Sequence, residues 1–447
     1  MPALVSGVNS GSKHRKLTGY NFYRDVLGSP KYVLAPMVDQ SELAWRILCR
    51  RYGAQLTYTP MINAKIFVES HKQRSSHFDI PSGEEGSSSH LPIPSSPFSS
   101  PNSPLSSLDR PLIVQFCANN PTYLLQAAQL VEPYCDAVDI NFGCPQDIAR
   151  RGRYGSYLQD DWKLVFELIN TLHKNLSIPV TAKFRVFPSI EKTVEYAKMM
   201  ESAGAQILAC HGRTREQRGH NTGLASYAHI AAVKRAVSVP VFANGNILFH
   251  ADIQRCLDET GADGVMVAEA GLYNPLIFQG CGDGTPYQTS FIFESTSALI
   301  PPTPVPLYTY QKATYLPSPH LSLEYLSIVR GLKTRTALSA VKGHLFKLLR
   351  PALGVHTDLR ARLGSVRGGG GSKEGDEEAL AEYEGIVREV AERLEPMMKE
   401  VANKPIDELV VIDEATGLPV LPCWLAQPYF RPLPSIPRSK SAQPTSP

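Results

Sequence analysis

No C-x-x-C pair occurs among the eight cysteines, at 49, 117, 135, 144, 210, 256, 281 and 423, and no His/Cys spacing suits a metal ion. Neither a disulfide scaffold nor a metal module is therefore expected. Several thiols fall inside apolar, strand-like runs, as in proteins of reducing intracellular compartments. No apolar run approaches the ~20 residues that span a bilayer, so no membrane attachment is expected. The opening Met1-Pro2-Ala3-Leu4-Val5-Ser6-Gly7 turns polar at once, unlike a secretory signal. The cluster Lys13-His14-Arg15-Lys16 is too short to fix a compartment, and the expected location is cytoplasm, nucleus or both. No internal repeat stands out, and nothing indicates an obligate protein partner.

What the chain does have is length, apolar content and uneven charge. Its 447 residues are 43% hydrophobic and 19% charged, enough for a large buried core. The formal net charge of +3 hides an asymmetry: residues 372–447 hold 8 basic against 14 acidic side chains, and residues 1–371 hold 37 against 28. A basic body with an acidic tail suits a polyanion such as nucleic acid; the plainer alternative is a solvated surface.

The core of 31–279 alternates short β-rich runs, at 32–36, 55–59, 111–116, 137–141, 180–184, 206–210, 240–243 and 264–268, with helical patterns. The runs are continuously apolar, as parallel strands buried on both faces are. In 161–173, Trp162, Val165, Phe166, Ile169 and Leu172 recur at helical spacing; the segment after the second run is the least clear. Eight such units over about 250 residues predict a (β/α)8 TIM barrel, class α/β. A doubly wound sheet is the alternative, and the lack of G-x-G-x-x-G after the first run weighs against it.

Around this core the sequence reads as an N-terminal extension (1–30), a Ser/Pro-rich insert (75–109) and an irregular Pro-rich connection (280–320). A small helical domain (321–363), a Gly-rich linker (364–377), an acidic amphipathic helix (378–403) and a Pro-rich tail (404–447) follow. The insert is expected to be disordered and 76–108 dispensable, because such a composition buries too little apolar area to offset ordering.

A (β/α)8 barrel carries its chemistry at the C-terminal ends of its strands. There the sequence places Pro36-Met37-Val38, Pro60-Met61-Ile62-Asn63, Gln115, Asn141-Phe142-Gly143-Cys144-Pro145, Lys183 and Arg185, His211-Gly212-Arg213, Asn244-Gly245-Asn246 and Ala268-Glu269. Each has a plainer reading. A lone Cys is ordinarily a small core hydrophobe, but Cys144 stands in a Gly-Cys-Pro turn. Lys183 ends an apolar run, where an ammonium needs a partner. His211 can be a satisfied core histidine, and Asn244-Gly245 merely a turn. Taken together they suit a flavin: a Gln amide and a Lys ammonium for its pyrimidine edge, Gly-rich turns for its phosphate, and a thiol acid for the substrate.

Asn141-x-Gly143-Cys144-Pro145, Ala35-Pro36-Met37, Lys183-x-Arg185, His211-Gly212-Arg213 and Asn244-Gly245-Asn246 together resemble the tRNA-dihydrouridine synthases. Longer stretches at 35–45, 110–119, 134–146 and 185–188 resemble the eukaryotic synthase 1 branch. The resemblance implies an FMN-binding barrel followed by a helical tRNA-binding domain, with NADPH or NADH as reductant. It implies hydride delivery to C6 of a uridine, at positions 16/17 of the D-loop, and a proton from Cys144 to C5. Gln115, Lys183, His211 and Pro36–Val38 would contact the flavin, Asn244–Asn246 and Ala268–Glu269 would hold its phosphate end, and Asn141 and Arg185 would flank the uracil. Ala268-Glu269-Ala270-Gly271 departs from the Gly-Arg of many bacterial members, so backbone contacts are implied there. The partner implied is tRNA, through Arg150, Arg151, Arg153, Arg213, Arg215 and Arg218 on the barrel and Lys333, Arg335, Lys342, Lys347 and Arg350 on the helical piece. Removing everything after 320 would then abolish tRNA binding and spare the flavin. Another FMN barrel acting on a free metabolite, or a non-catalytic RNA-binding protein, are the alternatives; the Gly-Cys-Pro turn and the intact Cys144, Lys183 and His211 weigh against them.

Overall fold

The computed structural model describes residues 16–87, 109–219, 222–279, 308–310, 313–368, 373–401, 404, 406–414 and 417–430. Eight parallel strands form the barrel: β1 Tyr32–Leu34, β2 Leu56–Tyr58, β3 Leu112–Cys117, β4 Ala137–Phe142, β5 Val180–Arg185, β6 Leu208–His211, β7 Val241–Asn244 and β8 Gly264–Val267. Each pairs with its sequence neighbours, and β1 pairs with β8, closing the ring and leaving no sheet edge.

The pleat sends alternate side chains inward. The floor of the barrel is apolar, built from Val33, Leu56, Tyr58, Ile113, Ala137, Ile207, Phe242 and Met266. The helix Gly19–Asp25 plugs that end with Phe22 and Tyr23. Outside, capped helices cover the strands: Asn120, Asp161, Ser189 and Ser226 each accept a backbone N–H at a helix start. In the helix Trp162–Asn175 the buried stripe is Val165, Leu168, Ile169 and Leu172. Phe166, expected in that stripe, is exposed, because 165, 168, 169 and 172 follow the helical period more closely. The unclear segment after the second run is the helix Ala64–Glu69, capped by Asn63.

Three expectations change here. First, the insert does not begin at 75. Residues 79–87 and Asp109 fold against the barrel, and the rest of the insert, 88–108, lies outside the described residues. The fully buried Arg46 donates from Nε and Nη2 to Asp109 at 2.8 Å each and from Nη1 to Ser41 O at 2.9 Å. Glu85 sits 3.4 Å from the same guanidinium, and Glu84 accepts Lys333 N and Thr334 N at 2.8 and 2.6 Å.

Second, the helical piece is not separable. Ser318–Gly331, Leu338–Leu348, Arg350–Val355 and Thr357–Ser365 share one apolar core with the barrel helices. His344 stacks on Trp45 with ring centroids 3.8 Å apart, and Glu42 receives His344 Nε2 at 3.0 Å and the Tyr325 hydroxyl at 2.7 Å. Cutting at 320 would strip the cover from Trp45.

Third, the acidic helix is Lys373–Glu400, and it belongs to the same domain. It buries Ala379, Leu380, Tyr383, Ile386, Val387, Val390 and Leu394. Its carboxylates meet Arg330, Arg335 and Arg362 through Glu384, Asp376 and Glu389. Part of the charge asymmetry is therefore satisfied within the chain. Residues 417–430, expected as tail, also pack: Ser318 N donates to Trp424 O at 2.7 Å, and Arg350 lies 4.0 Å from the Tyr429 ring centroid. Within the Pro-rich connection the described residues include the strand Ala313–Tyr315 and the start of the helix Ser318–Gly331. Residues 1–15, 280–307, 369–372 and 431–447, which hold much of the expected extension, connection, linker and tail, lie outside the described residues.

Asp109 is the principal counter-ion of Arg46, since burial raises the Glu85 carboxyl to about 7. Asp109→Ala should cost about 3–5 kcal/mol by stranding a buried charge. Glu85→Gln, which keeps an acceptor for Asp79 N, should cost about 1 kcal/mol or less. Urea unfolding of both variants checks the contrast, and equal losses would contradict it.

Candidate active site

The parallel register brings the inward polar residues to one level. Gln115 pairs with Asp139, Asn141 with Lys183, Arg185 with His211, and His211 with Asn244. These residues follow the apolar floor toward the C-terminal mouth, so a two-residue step along a strand moves from floor to site.

Two hydrogen-bonded groups result. In one, Lys183 Nζ donates to Asn244 Oδ1 at 3.0 Å, and Asn244 Nδ2 donates to Met266 O at 2.7 Å. Lys183 is 9% exposed, and burial, with Arg185 nearby, lowers its ammonium to about 8. The bond to Asn244 uses a single one of its three donors. In the other, Gln115 Nε2 donates to Asp139 Oδ2 at 2.7 Å, and Asn141 Nδ2 donates to Gln115 Oε1 at 2.9 Å. Asn141 Oδ1 in turn receives Gly143 N at 3.0 Å and Cys144 N at 2.8 Å.

Cys144 thus stands in a turn gripped from below by Asn141. It is gripped from the side as well, where Ser156 N and Oγ both reach Cys144 O at 3.0 Å. Gly155 (φ +66°) is required there, since a Cβ would lie 2.7 Å from Cys144 O. The thiol is half-buried, and burial raises its pKa despite Arg185 and Lys183 nearby, so it holds its proton at neutral pH.

Arg185 ties the turn to the next loop. Its Nε donates to Gly143 O at 2.9 Å, and its Nη1 donates to Thr214 O and Gln217 O at 2.9 and 3.1 Å. Arg213 turns inward, 3.2 Å from both His211 Nε2 and Asn246 Oδ1. Asn246 (φ +61°) brackets Ala225 through N–H and C=O at 2.8 Å each, and Gly245 (φ +125°) leaves room for the Ala225 Cβ. Because β1 pairs with β8, Pro36, Met37 and Val38 lie beside Ala268 and Glu269. Val38 is exposed, and Met37 N is held by Ser41 Oγ at 3.0 Å. Glu269 begins a helix of only five residues, and its charge acts on Lys347.

The structure therefore gathers the expected residues at one mouth and adds Asp139 and Thr181 beneath them. Both were legible by period, standing two residues before Asn141 and Lys183 on the same strand faces. The expected phosphate surface fares differently. Lys342 caps Gly364 O and Val366 O, Lys347 binds Gln40, and Arg335, Arg215 and Arg218 pair with Asp376, Asp160 and Asp147. Arg150, Arg151 and Arg153 border the Cys144 turn, with Arg150 and Arg151 following it on the helix Asp147–Gly152. Among the described residues there is no group of His, Cys, Asp and Glu that could hold a metal ion, and no helix long and apolar enough to cross a membrane.

Fold and site together define a (β/α)8-barrel enzyme with its chemistry at the strands' C-terminal mouth. The chain belongs to the dihydrouridine synthase family: the model described as Dihydrouridine synthase (Dus) matches residues 33–288. That family comprises flavin-dependent oxidoreductases that reduce uridine to dihydrouridine in tRNA. The chain is 42% identical over 441 residues to a tRNA-dihydrouridine(16/17) synthase of Saccharomyces cerevisiae, covering 97% of this chain and 91% of that one. It is 43% identical to the Schizosaccharomyces pombe protein of the same name, over 94% and 92%. A human tRNA-dihydrouridine(20a/20b) synthase-like protein is 37% identical over 251 residues, 56% of this chain and 70% of that one.

Burial and the neighbouring Arg185, Lys183 and Arg213 hold the His211 imidazole well below its ordinary 6.5. Its folded value lies under its unfolded one, so this histidine costs stability as pH falls below about 6.5. In nitrogen-labelled protein, His211 should read neutral from about pH 6 to 8. A titration midpoint at the ordinary value would contradict this.

Proposed function

We propose that the chain reduces uridine to 5,6-dihydrouridine in tRNA, at positions 16 and 17 as its closely similar relatives are named, with FMN as bound carrier and NADPH or NADH as reductant. The observation that carries this reading is the pairing, at one mouth, of a buried ammonium with donors to spare and a thiol turn whose proton is retained. A flavin fits the residues present. Lys183 has two donors left for carbonyl or ring-nitrogen acceptors, Gln115 Nε2 has one, and Gly245 (φ +125°) turns where a Cβ would lie 2.5 Å from the Ala225 Cβ.

When bound there, reduced FMN supplies a hydride. The chain's own residues do the rest. Lys183 and Gln115 hold the pyrimidine edge of the ring, with neutral His211 beside them. Asn244, Gly245 and Asn246, with Ala268 and the backbone at Glu269, shape the phosphate end, and Pro36, Met37 and Val38 border the ring from β1. Asn141 and Arg185 orient a uracil and fix the Cys144 turn. Addition of hydride at C6 leaves the electron pair at C5, and the Cys144 thiol delivers its proton to that carbon. Arg150, Arg151 and Arg153 meet phosphates around the mouth. An intracellular site in cytoplasm or nucleus accords with seven free thiols among the described residues.

Cys144→Ala removes the acid and nothing else. Its flavin content and NADPH-driven flavin reduction should match wild type. Reoxidation by tRNA should slow by roughly 10²–10⁴-fold, the usual cost of a lost general acid. Stopped-flow absorbance separates the two steps. A wild-type reoxidation rate would remove Cys144 from the role, and a denatured wild-type sample that releases no FMN would remove the cofactor.

A further inference from the structure

An amide side chain does not choose its own orientation. Gln and Asn present a donor at one end and an acceptor at the other, and only their partners decide which end faces where. The run from Gln115 to Cys144 contains two such amides in series, so its order must be imposed from outside. Asp139 is placed to do this. It is fully buried on β4, its Oδ2 accepts Gln115 Nε2 at 2.7 Å and its Oδ1 accepts the Thr181 hydroxyl at 2.6 Å.

Burial raises the Asp139 carboxyl to about 6, so at neutral pH it is ionised, and an ionised carboxylate can only accept. Gln115 must therefore turn its NH2 toward Asp139 and its oxygen toward Asn141. Asn141 must then offer its NH2 to that oxygen, at 2.9 Å, which leaves Asn141 Oδ1 for the N–H groups of Gly143 and Cys144. Had Gln115 been reversed, Asn141 would point its NH2 at two backbone N–H donors, and the Cys144 turn would lose both grips.

We propose that Asp139 is a positioning residue that sets the polarity of the Gln115–Asn141 amide relay and thereby fixes the Cys144 turn. It touches neither substrate nor flavin; it acts through two amides on the backbone that carries the acid. The inference rests on the proposed function only for the word acid, since the grip on the turn is independent of tRNA.

The test uses the full-length protein. Alkylation of each cysteine by iodoacetamide, with FMN added in excess to every sample so that flavin occupancy is equal, is followed by peptide mass spectrometry in wild type, Asp139→Asn, and the double variant Asp139→Asn with Gln115→Glu. The amide introduced by Asp139→Asn can present either end, so the single variant loses the imposed order. In the double variant that amide donates to the carboxylate introduced by Gln115→Glu, which can only accept, and the order returns. Cys144 alkylation should rise in the single variant by roughly fivefold to a hundredfold, the equivalent of a lost buried hydrogen bond. The buried Cys49, Cys135, Cys210 and Cys256 should stay as slow as in wild type. The double variant should return Cys144 to within about twofold of wild type, the mark of a coupled pair.

A uniform rise at all buried thiols would reduce Asp139 to a structural role and overturn the proposal. So would an unchanged Cys144 in the single variant, or failure of the double variant to restore it. If Asp139→Asn alone does not fold, the double variant decides. Recovery of fold and wild-type Cys144 reactivity supports the proposal, and their absence overturns it. Because alkylation needs no tRNA, these outcomes stay distinct from failure of the uridine-reductase reading.

Discussion

The pleat of the closed parallel barrel is the constraint on which the rest depends. With no free edge, the backbone of eight strands is satisfied by its neighbours, and the interior is decided by every second side chain. Those side chains are apolar at the floor and polar at the mouth, so a dry base supports a ring of hydrogen-bonding groups. Lys183 is held there by Asn244, which accepts from it at 3.0 Å, and by the nearby charge of Asp139. A buried ammonium with unused donors is costly in an empty site and useful in one that binds an acceptor-rich ring. The same burial keeps the Cys144 proton on and the His211 imidazole neutral.

A second constraint ties the barrel mouth to the helical domain. The loop after β1 carries Pro36, Met37 and Val38 and continues into Gln40, Ser41, Glu42 and Trp45. Gln40 meets Lys347, Glu42 meets His344 and Tyr325, and Trp45 stacks on His344. The residues that border the proposed flavin are thus braced by the domain that follows the barrel. The helix Lys373–Glu400 completes that domain and neutralises its arginines at the rim, each pair worth little alone. Part of the helical domain's positive charge is accordingly met within the chain.

How much of this was legible in the residues follows from which forces are local. Strand runs, capped helices and the barrel class are written in period and composition, and the mouth residues follow from the rule that barrel sites sit at strand C-termini. The position of Asp139 was readable by parity but not its role, because a carboxylate in an apolar run gives no sign of what it accepts. Arg46, Glu85 and Asp109 were unreadable: three charges far apart in sequence become one buried cluster only through tertiary contact, and the Ser/Pro composition around 88–108 drew the boundary of the insert too widely. The acidic helix misled for a related reason. Its carboxylates look like a solvated face until Arg330, Arg335 and Arg362 across from them, tens of residues earlier, are in place.

The central claim is that this mouth reduces a uridine held in tRNA. Purified protein, NADPH and unmodified tRNA transcript should yield a product in which a D-loop uridine gains the mass of two hydrogen atoms, located by nuclease digestion and mass spectrometry. The account expects the gain at positions 16 and 17, as the relatives' names would have it, and none on free uridine. Turnover of NADPH with no mass gain in any tRNA uridine would contradict it.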